Sequence, residues 1–178
     1  VSGPSTTLLS EEFDDLSNWT AVDVSSGAWA AGSPTYYSPY SGSSCAHING
    51  GYVGATDYIE YTLASATSMS MTYYYICQSW SGDADVLDVE YYDGSSWISL
   101  ASHSSVSSWT SATHSIPDGA TKVRFEAEIN YGYGIAVDQL VITGVLADTY
   151  VYSWSPTTGL NDASIAAPTA SNTSTTTY

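Results

Sequence analysis

The fold of this chain follows from one stretch, Val86–Ala101, which has the sequence VLDVEYYDGSSWISLA. Apolar and polar residues alternate on both sides of a central Asp93-Gly94 pair. An Asp-Gly pair between two alternating runs is a strong short-range signal for a β-hairpin. The stretch therefore predicts two antiparallel strands, Val86–Tyr92 and Trp97–Ala101, joined by a tight turn.

A second alternating run, Lys122–Ile129, places its apolar residues on one face and its basic and acidic residues on the other. No segment has a convincing helical period. Further strands are predicted at Leu8–Phe13, near Ala46–Ile48, and at Tyr58–Leu63, Ser68–Cys77, Trp109–Ile116 and Ile135–Thr143. About eight short strands separated by turns predict an all-β fold, an antiparallel β-sandwich.

Changes in amino-acid composition and pattern divide the chain into three parts. Residues 1–6 are a polar linker, 7–144 form the sandwich, and 145–178 contain a predicted strand, Thr149–Trp154, followed by an Ala-, Ser- and Thr-rich tail. No apolar run is long enough to span a membrane. Because the chain starts at Val1 without a signal-like segment, we expect a mature or excised piece of a larger secreted protein.

The charge balance is the strongest functional clue. Eighteen Asp and Glu residues face two basic residues, and the formal net charge is -16. Nucleic acids and anionic membranes require a basic surface, so both are excluded as partners. Clustered carboxylates without basic neighbours must be solvated, protonated or bound to a cation, and calcium prefers oxygen ligands. The sequence therefore predicts structural Ca2+ as a cofactor.

Glu11 and Asp138 are the two acids that the pattern favours as metal ligands. Each shares strand parity with apolar neighbours, and the first and last strands of a sandwich often lie side by side. Two adjacent carboxylates repel each other unless a cation bridges them. Glu12, Asp14 and Asp57 would complete the shell together with backbone carbonyl groups. The alternative is that Glu11 and Asp138 lie at strand ends and are simply hydrated.

A second acidic group contains Asp83, Asp85 and Asp88. It lacks the glycine and the distant glutamate of an EF-hand loop. We therefore predict a solvated loop that leads into a strand, rather than a metal site.

Catalysis has no support in the sequence. His47, His103 and His114 are scattered, and neither a zinc-binding spacing nor a nucleophile motif is present. We expect a protein that is not an enzyme.

Aromatic residues in loops are the candidates for ligand binding. Trp80, Tyr131 and Tyr133 lie in predicted loops, as does the group Tyr36, Tyr37 and Tyr40. Flat rings at such places stack on sugars or on proteins. Ordinary loop packing is the alternative. By contrast, Trp19 and Trp29 are predicted to belong to the core.

Cys45 and Cys77 are the only cysteines. In an extracellular chain the two residues could form a disulfide. Two buried thiols are the equally supported alternative.

Several motifs resemble the MAM-like jelly-roll modules of secreted Bacteroidota proteins, a group that includes gingipain-type adhesin domains. The resemblance covers residues 7–144 and rests on Leu8–Asp14 (LLSEEFD), Asp93–Trp97 (DGSSW), Ser107–Trp109 (SSW) and Gly134–Ile142 (GIAVDQLVI). It implies a jelly-roll topology. It also implies a structural calcium ion held by Glu11 and Asp138, with Asp57 as a further match. Gln139 stands where many relatives have a second aspartate.

The tail resembles the start of an Ig-like or PKD-like repeat of large surface proteins. The residues that carry this resemblance are Tyr152–Asp162 (YSWSPTTGLND) and the Thr-rich end. The usual continuation after Tyr178 is absent from this sequence.

These observations lead to three functional hypotheses. The first is a non-catalytic, calcium-stabilised module of a large extracellular adhesin or cell-surface filament, with a glycan, a surface protein or neighbouring repeats as partners. The second is a carbohydrate-binding module of a secreted polysaccharide-degrading enzyme. The third is a self-assembling filament subunit that completes its tail by strand donation.

Overall fold

The structure is a computed structural model, and it describes residues 3–22, 28–51, 55–146 and 152–178. These residues contain no helix, and therefore none that could cross a membrane. They form eleven strands: β1 Thr6–Glu11, β2 Thr20–Val22, β3 Ala30–Gly32, β4 Cys45–Asn49, β5 Ala55–Thr62, β6 Ala66–Cys77, β7 Val86–Tyr92, β8 Trp97–Ser104, β9 Val106–Ile116, β10 Lys122–Ile129 and β11 Gly134–Leu146.

Two antiparallel sheets form the sandwich, so the predicted all-β sandwich is confirmed. The first sheet has the order β3-β4-β11-β6-β9, and β1 also pairs with β11. Strand β11 is long enough for two partners on one side, because β4 pairs with its first residues and β1 with its later ones. The second sheet has the order β2-β5-β10-β7-β8.

The alternating runs of the sequence become the regular part of the second sheet. Strands β7 and β10 have the predicted bounds, and β7 pairs with β8 as the predicted hairpin. Strand β10 pairs with β5 and β7 without a register shift. The short strands β2 and β3 were not predicted, since three residues are too few to show a period.

The core lies between the sheets and joins residues from both. Phe13, Tyr73, Phe125 and Leu140 are fully or almost fully buried there, and Trp19 packs against the rings of Phe13 and Phe125. Trp29 is also buried. The prediction that both tryptophans belong to the core is confirmed. Burial of such side chains contributes roughly 1.5–3 kcal/mol each, which makes this layer the main source of stability.

Strand β11 contains an irregularity that changes the face of one key residue. Val137 and Leu140 both belong to the core, although strict alternation would separate them. Gln139 has a positive φ of 46°, and the pairing with β6 shifts between Asp138 and Val141. This β-bulge puts Asp138 on the outer face of the sheet beside Ala136. The predicted face shared by Asp138, Leu140 and Ile142 is therefore wrong.

The chain divides into two compact units, Val1–Ala147 and Asp148–Tyr178. The first contains both sheets. Half of the strand predicted at Thr149–Trp154, residues 149–151, lies outside the described residues, and Tyr152 to Trp154 are not in a strand. Residues 152–178 contain turns and one bridge between Leu160 and Ala170. The Ig-like or PKD-like repeat stays a prediction.

Candidate functional site

Asp85 holds the loop between β10 and β11 in place. Its carboxylate is fully buried and accepts backbone N–H hydrogen bonds from Asn130 at 2.7 Å, Gly132 at 2.9 Å and Gly134 at 2.7 Å. Charge-assisted bonds to a buried carboxylate are stronger than neutral ones. The prediction that the Asp83–Asp88 group is a solvated loop is wrong for Asp85, because no local pattern shows partners that lie 45 or more residues away.

The glycines of this loop allow the close approach. A Cβ atom at Gly132 would collide with the carboxylate of Asp85, and one at Gly134 would collide with the backbone of β4. Gly134 also has φ of 89°, which other residues rarely adopt. The sequence Asn130–Gly134 is thus shaped to wrap around one acid and to present its tyrosines outward.

The loop forms one wall of a cavity of about 370 Å3. The cavity is lined by Tyr36, Gly50, Gly51, Trp80, Tyr131, Gly132 and Tyr133. All three predicted ligand-binding residues, Trp80, Tyr131 and Tyr133, therefore meet around a single space, and Tyr36 joins them.

The aromatic rings of the cavity are available to a ligand. Trp80 is 54% exposed, Tyr36 56% and Tyr131 45%. The rings of Tyr36 and Tyr133 make an edge contact with centroids 5.0 Å apart. No charged side chain lines this cavity in the part of the chain that the structure describes. A concave site with aromatic walls and no charge suits a neutral ligand with apolar faces.

Asp138 forms a second feature on the outer face of the first sheet. Its side chain is fully buried and accepts the N–H groups of Ser41 at 3.0 Å and Gln139 at 2.8 Å. The Ser41 hydroxyl group donates to Glu12 at 2.7 Å, so Ser41 links the two acids. Burial raises the pKa of Asp138, and the charge of Glu12 adds to the rise. The donors around Asp138 therefore do not fully compensate the burial of its charge.

The other predicted metal ligands lie in different surroundings. Strands β1 and β11 are adjacent as expected, but Glu11 lies opposite Leu140 and binds Phe13 N at 3.0 Å and Asn18 Nδ2 at 3.1 Å. Asp14 is exposed. Asp57 is fully buried on β5 in the other sheet and has an interaction of its own. Within residues 3–22, 28–51, 55–146 and 152–178, no three His, Cys, Asp or Glu side chains form a metal-binding group.

The two cysteines are free thiols in the structure, so the disulfide alternative is not realised. Cys45 packs on the outer face with Ile76 and Ala136, whereas Cys77 belongs to the core between the sheets. Strand β11 also lies between their strands. Neighbouring strands are about 4.8 Å apart, so two strand spacings exceed the reach of a disulfide.

Both basic residues form ion pairs on the outer face of the second sheet. Lys122 pairs with Glu60 at 2.7 Å. Arg124 pairs with Glu90 at 2.5 Å and Glu126 at 2.6 Å. The acids that pair with them, Glu60, Glu90 and Glu126, all belong to the second sheet.

The histidines do not converge on the cavity. His103 Nε2 and His114 Nε2 lie 2.9 Å and 3.2 Å from the hydroxyl oxygen of Tyr73, in a group that connects the edges of the two sheets. Burial, followed by the charge of His114, lowers the pKa of His103. Sequence reasoning did not find this group, since its members are at least 11 residues apart in the chain.

The sandwich is similar to the folds of several solved β-sandwich domains. The sandwich is similar to a cleaved adhesin domain of Lys-gingipain from Porphyromonas gingivalis, with a TM-score of 0.66 and 16% identity over 79% of this chain and 99% of that domain. It is also similar to the xylan-binding module CBM22-1 of Paenibacillus barcinonensis, with a TM-score of 0.57 and 16% identity over 83% and 100%. A third similar structure is the module TmCBM61 in complex with β-1,4-galactotriose, with a TM-score of 0.57 and 12% identity over 77% and 97%.

No protein-family model matches the sequence, and no curated protein matches it significantly. At these low identities the structural likeness shows the fold. The chain therefore has a gingipain-adhesin-like β-sandwich, as its motifs predicted.

Proposed function

We propose that this chain is a non-catalytic, carbohydrate-binding module of an extracellular adhesin or another cell-surface protein. The observation that carries the proposal is the cavity formed by Trp80, Tyr131, Tyr133 and Tyr36, with its loop fixed by Asp85. Sugars have apolar faces that stack on aromatic rings and hydroxyl groups that bind nearby polar groups. A loop held in place before binding reduces the entropy lost when the ligand is ordered.

The charge of the protein supports the same choice of ligand. Nucleic acids and acidic lipids require basic residues, and both basic residues are already paired on the second sheet. The fold adds support, because similarly folded modules include a xylan-binding domain and one solved with β-1,4-galactotriose.

A binding experiment tests the proposal. The full chain is screened on a neutral glycan array, and hits are measured by isothermal titration calorimetry. Tyr131→Ala and Trp80→Ala should each weaken binding by roughly tenfold or more, because removal of a central aromatic contact commonly costs over 1 kcal/mol. Tyr152→Ala is the matched control, since Tyr152 is an exposed tyrosine (37%) of the other unit. Equal affinity of all three variants would refute the assignment of the cavity.

We also propose that a calcium ion binds beside Asp138 and stabilises the module. The support is a fully buried carboxylate with a raised pKa, linked through Ser41 to Glu12. The residues suit a hard cation by their chemistry, because Asp138, Glu12 and Ser41 all carry oxygen ligands and Ser41 is hydrogen-bonded to both acids. Carbonyl groups and water would supply the other ligands of a six- to eight-oxygen shell. In this arrangement Glu12 takes the role that the sequence assigned first to Glu11.

Thermal unfolding tests the calcium proposal. Excess calcium should raise Tm relative to EDTA, since an ion that binds only the folded state at about 100 times its Kd adds about 2.7 kcal/mol. Asp138→Asn and Glu12→Gln should remove this difference. The exposed Asp14→Asn serves as a control that retains it. Identical melting in calcium and EDTA would exclude the ion.

A further inference from the structure

A second cavity of about 380 Å3 lies on the outer face of the first sheet. Residues 36–40 form one wall, Ser107, Ser108 and Trp109 of β9 form the other, and Ile76 and Gln78 also line it. We call this cavity the outer groove. Tyr36 lines both the outer groove and the aromatic cavity described above, so the two spaces share a wall.

The outer groove is built from fixed parts. The Tyr37 hydroxyl group accepts the N–H of Gln78 at 3.0 Å and donates to the carbonyl group of Gly134 at 3.0 Å. Trp109 Nε1 donates to the carbonyl group of Ser38 at 3.0 Å. These bonds connect residues 36–40 to three separate strands or strand ends, so the groove exists before any ligand arrives.

The groove offers both stacking surfaces and polar groups. The ring of Tyr40 is 41% exposed and stacks on Tyr74 with centroids 3.8 Å apart. The ring of Trp109 packs edge-on against Tyr40. The side-chain amide of Gln78 and the hydroxyl groups of Ser107 and Ser108 have no hydrogen-bond partner among the residues that the structure describes. Each is a donor and an acceptor for a hydroxyl-rich ligand.

Neither cavity can neutralise an anion. The lining residues carry no charge, and Lys122 and Arg124 are bound to glutamates on the opposite sheet. An acidic sugar chain would meet a protein of net charge -16 without a single ion-pair partner at the site.

We infer that the aromatic cavity and the outer groove form one extended site, which binds a neutral oligosaccharide across Tyr36 and rejects acidic glycans. This inference rests on the proposed carbohydrate-binding function and adds the length and the charge class of the ligand. A chain that occupies both spaces makes its second set of contacts at high effective concentration. We therefore expect such a chain to bind at least about tenfold more tightly than a short ligand.

The test uses the full chain and a ladder of oligosaccharides. Neutral β-1,4-galacto-oligosaccharides and xylo-oligosaccharides of two to six sugars, together with a hexamer of galacturonic acid, are titrated by calorimetry. We expect affinity to rise with length for one neutral series, and the acidic hexamer to bind at least tenfold more weakly than the neutral hexamer.

Blocking the groove separates the two spaces. Ser108 is exposed and lines the outer groove, so Ser108→Trp should remove the gain in affinity with ligand length. Ser115→Trp is the matched control, because Ser115 is exposed at the far end of the same strand, opposite Ser70. Trp80→Ala should weaken short and long ligands alike.

The outcomes distinguish the two proposals. If short and long neutral ligands bind equally, or if Ser108→Trp keeps the gain with length, the extended site is refuted while the binding function stands. If the acidic hexamer binds as well as the neutral one, the charge selection is refuted. If no neutral glycan binds, the proposed function fails and the extended site fails with it.

Discussion

The two sheets of the sandwich differ in regularity and in charge. In the second sheet, β10 pairs with both neighbours without a register shift, and the pairing of β7 with β8 has one shift, between Val89 and Glu90. The outer face of this sheet carries both basic residues. The first sheet has register shifts in the pairings of β11 with β1 and β6 and of β6 with β9. Its outer face carries a tyrosine-rich segment. The more regular sheet acts as a scaffold, and the less regular sheet and its loops carry the proposed sites.

The difference has a physical basis. A regular ladder satisfies every backbone group but presents only a flat surface. A bulge or a glycine-rich loop redirects side chains and leaves N–H groups that another acceptor must satisfy. Asp85 and Asp138 are those acceptors here. Asp85 and Asp138 therefore mark two places where the regular pattern is broken, whereas the third buried aspartate, Asp57, lies in the regular pairing of β5 with β10.

Among the variants that test this difference between the sheets, Asp85→Ala should have the largest effect on stability. It would leave the buried N–H groups of Gly132 and Gly134 without an acceptor, together with that of Asn130. Each buried group left unpaired costs about 1–3 kcal/mol, so we expect a loss of about 3–5 kcal/mol in urea unfolding. Asp83→Ala, an exposed change in the same segment, is the control. Because the alanine variant could fail to fold, Asp85→Asn, which keeps one acceptor oxygen, should give an intermediate loss. Wild-type stability of Asp85→Ala would show that the loop does not depend on this acid.

A smaller loss of stability is expected for Arg124→Met, in the second sheet. This change leaves Glu90 and Glu126 without their partner, and it removes the contacts with the rings of Tyr58 and Trp97. Burial already raises the pKa of Glu126, and the charge of Arg124 opposes that rise. We expect a loss of about 1–3 kcal/mol in urea unfolding, reduced by added salt, which screens the remaining repulsion. Lys122→Met should cost much less, because its side chain is 36% exposed against 14% for Arg124. Equal losses of stability in the two variants would show that burial does not determine how strongly these ion pairs stabilise the fold.

The pH dependence of stability tests the connection between the two sheets. The pKa of His103 is lowered by burial and by His114, so the unfolded chain binds the proton more readily than the folded one. Stability should therefore fall as the pH drops below about 6.5, the ordinary value. His103→Gln keeps a hydrogen-bonding group near Tyr73 and should reduce this loss between pH 7 and pH 5. His47→Gln is measured in parallel, since burial also lowers the pKa of His47. An unchanged pH profile in His103→Gln would contradict this role.

The smallest expected effect concerns the two faces of the first sheet. Burial raises the pKa of Cys45 to about 12, so its thiol is protonated and unreactive at neutral pH. A thiol reagent should find two free thiols in denaturant and almost none in the folded protein. A reductant should leave Tm unchanged. A Tm lowered by reductant would indicate a disulfide and would overturn the assignment of the thiols to opposite faces.

Sequence patterns predicted the scaffold better than the sites. The bounds of β7 and β10 followed from alternation, and the adjacency of β1 and β11 from the order of strands in a sandwich. The face of Asp138 was mispredicted, because the extra residue of a bulge moves every later residue of the strand to the opposite face of the sheet. The burial of Asp85 was also missed, since its partners come from a distant loop.

The sequence by itself determined an all-β chain with a large acidic excess and aromatic loops, because alternation, turn residues and charge act locally or as simple sums. Only the tertiary structure decided that Tyr36, Trp80 and Tyr131 surround one cavity and that Ser41 links Asp138 to Glu12 rather than to Glu11. These contacts depend on strand register and on hydrogen bonds between segments far apart in the chain. Local sequence patterns do not contain that information.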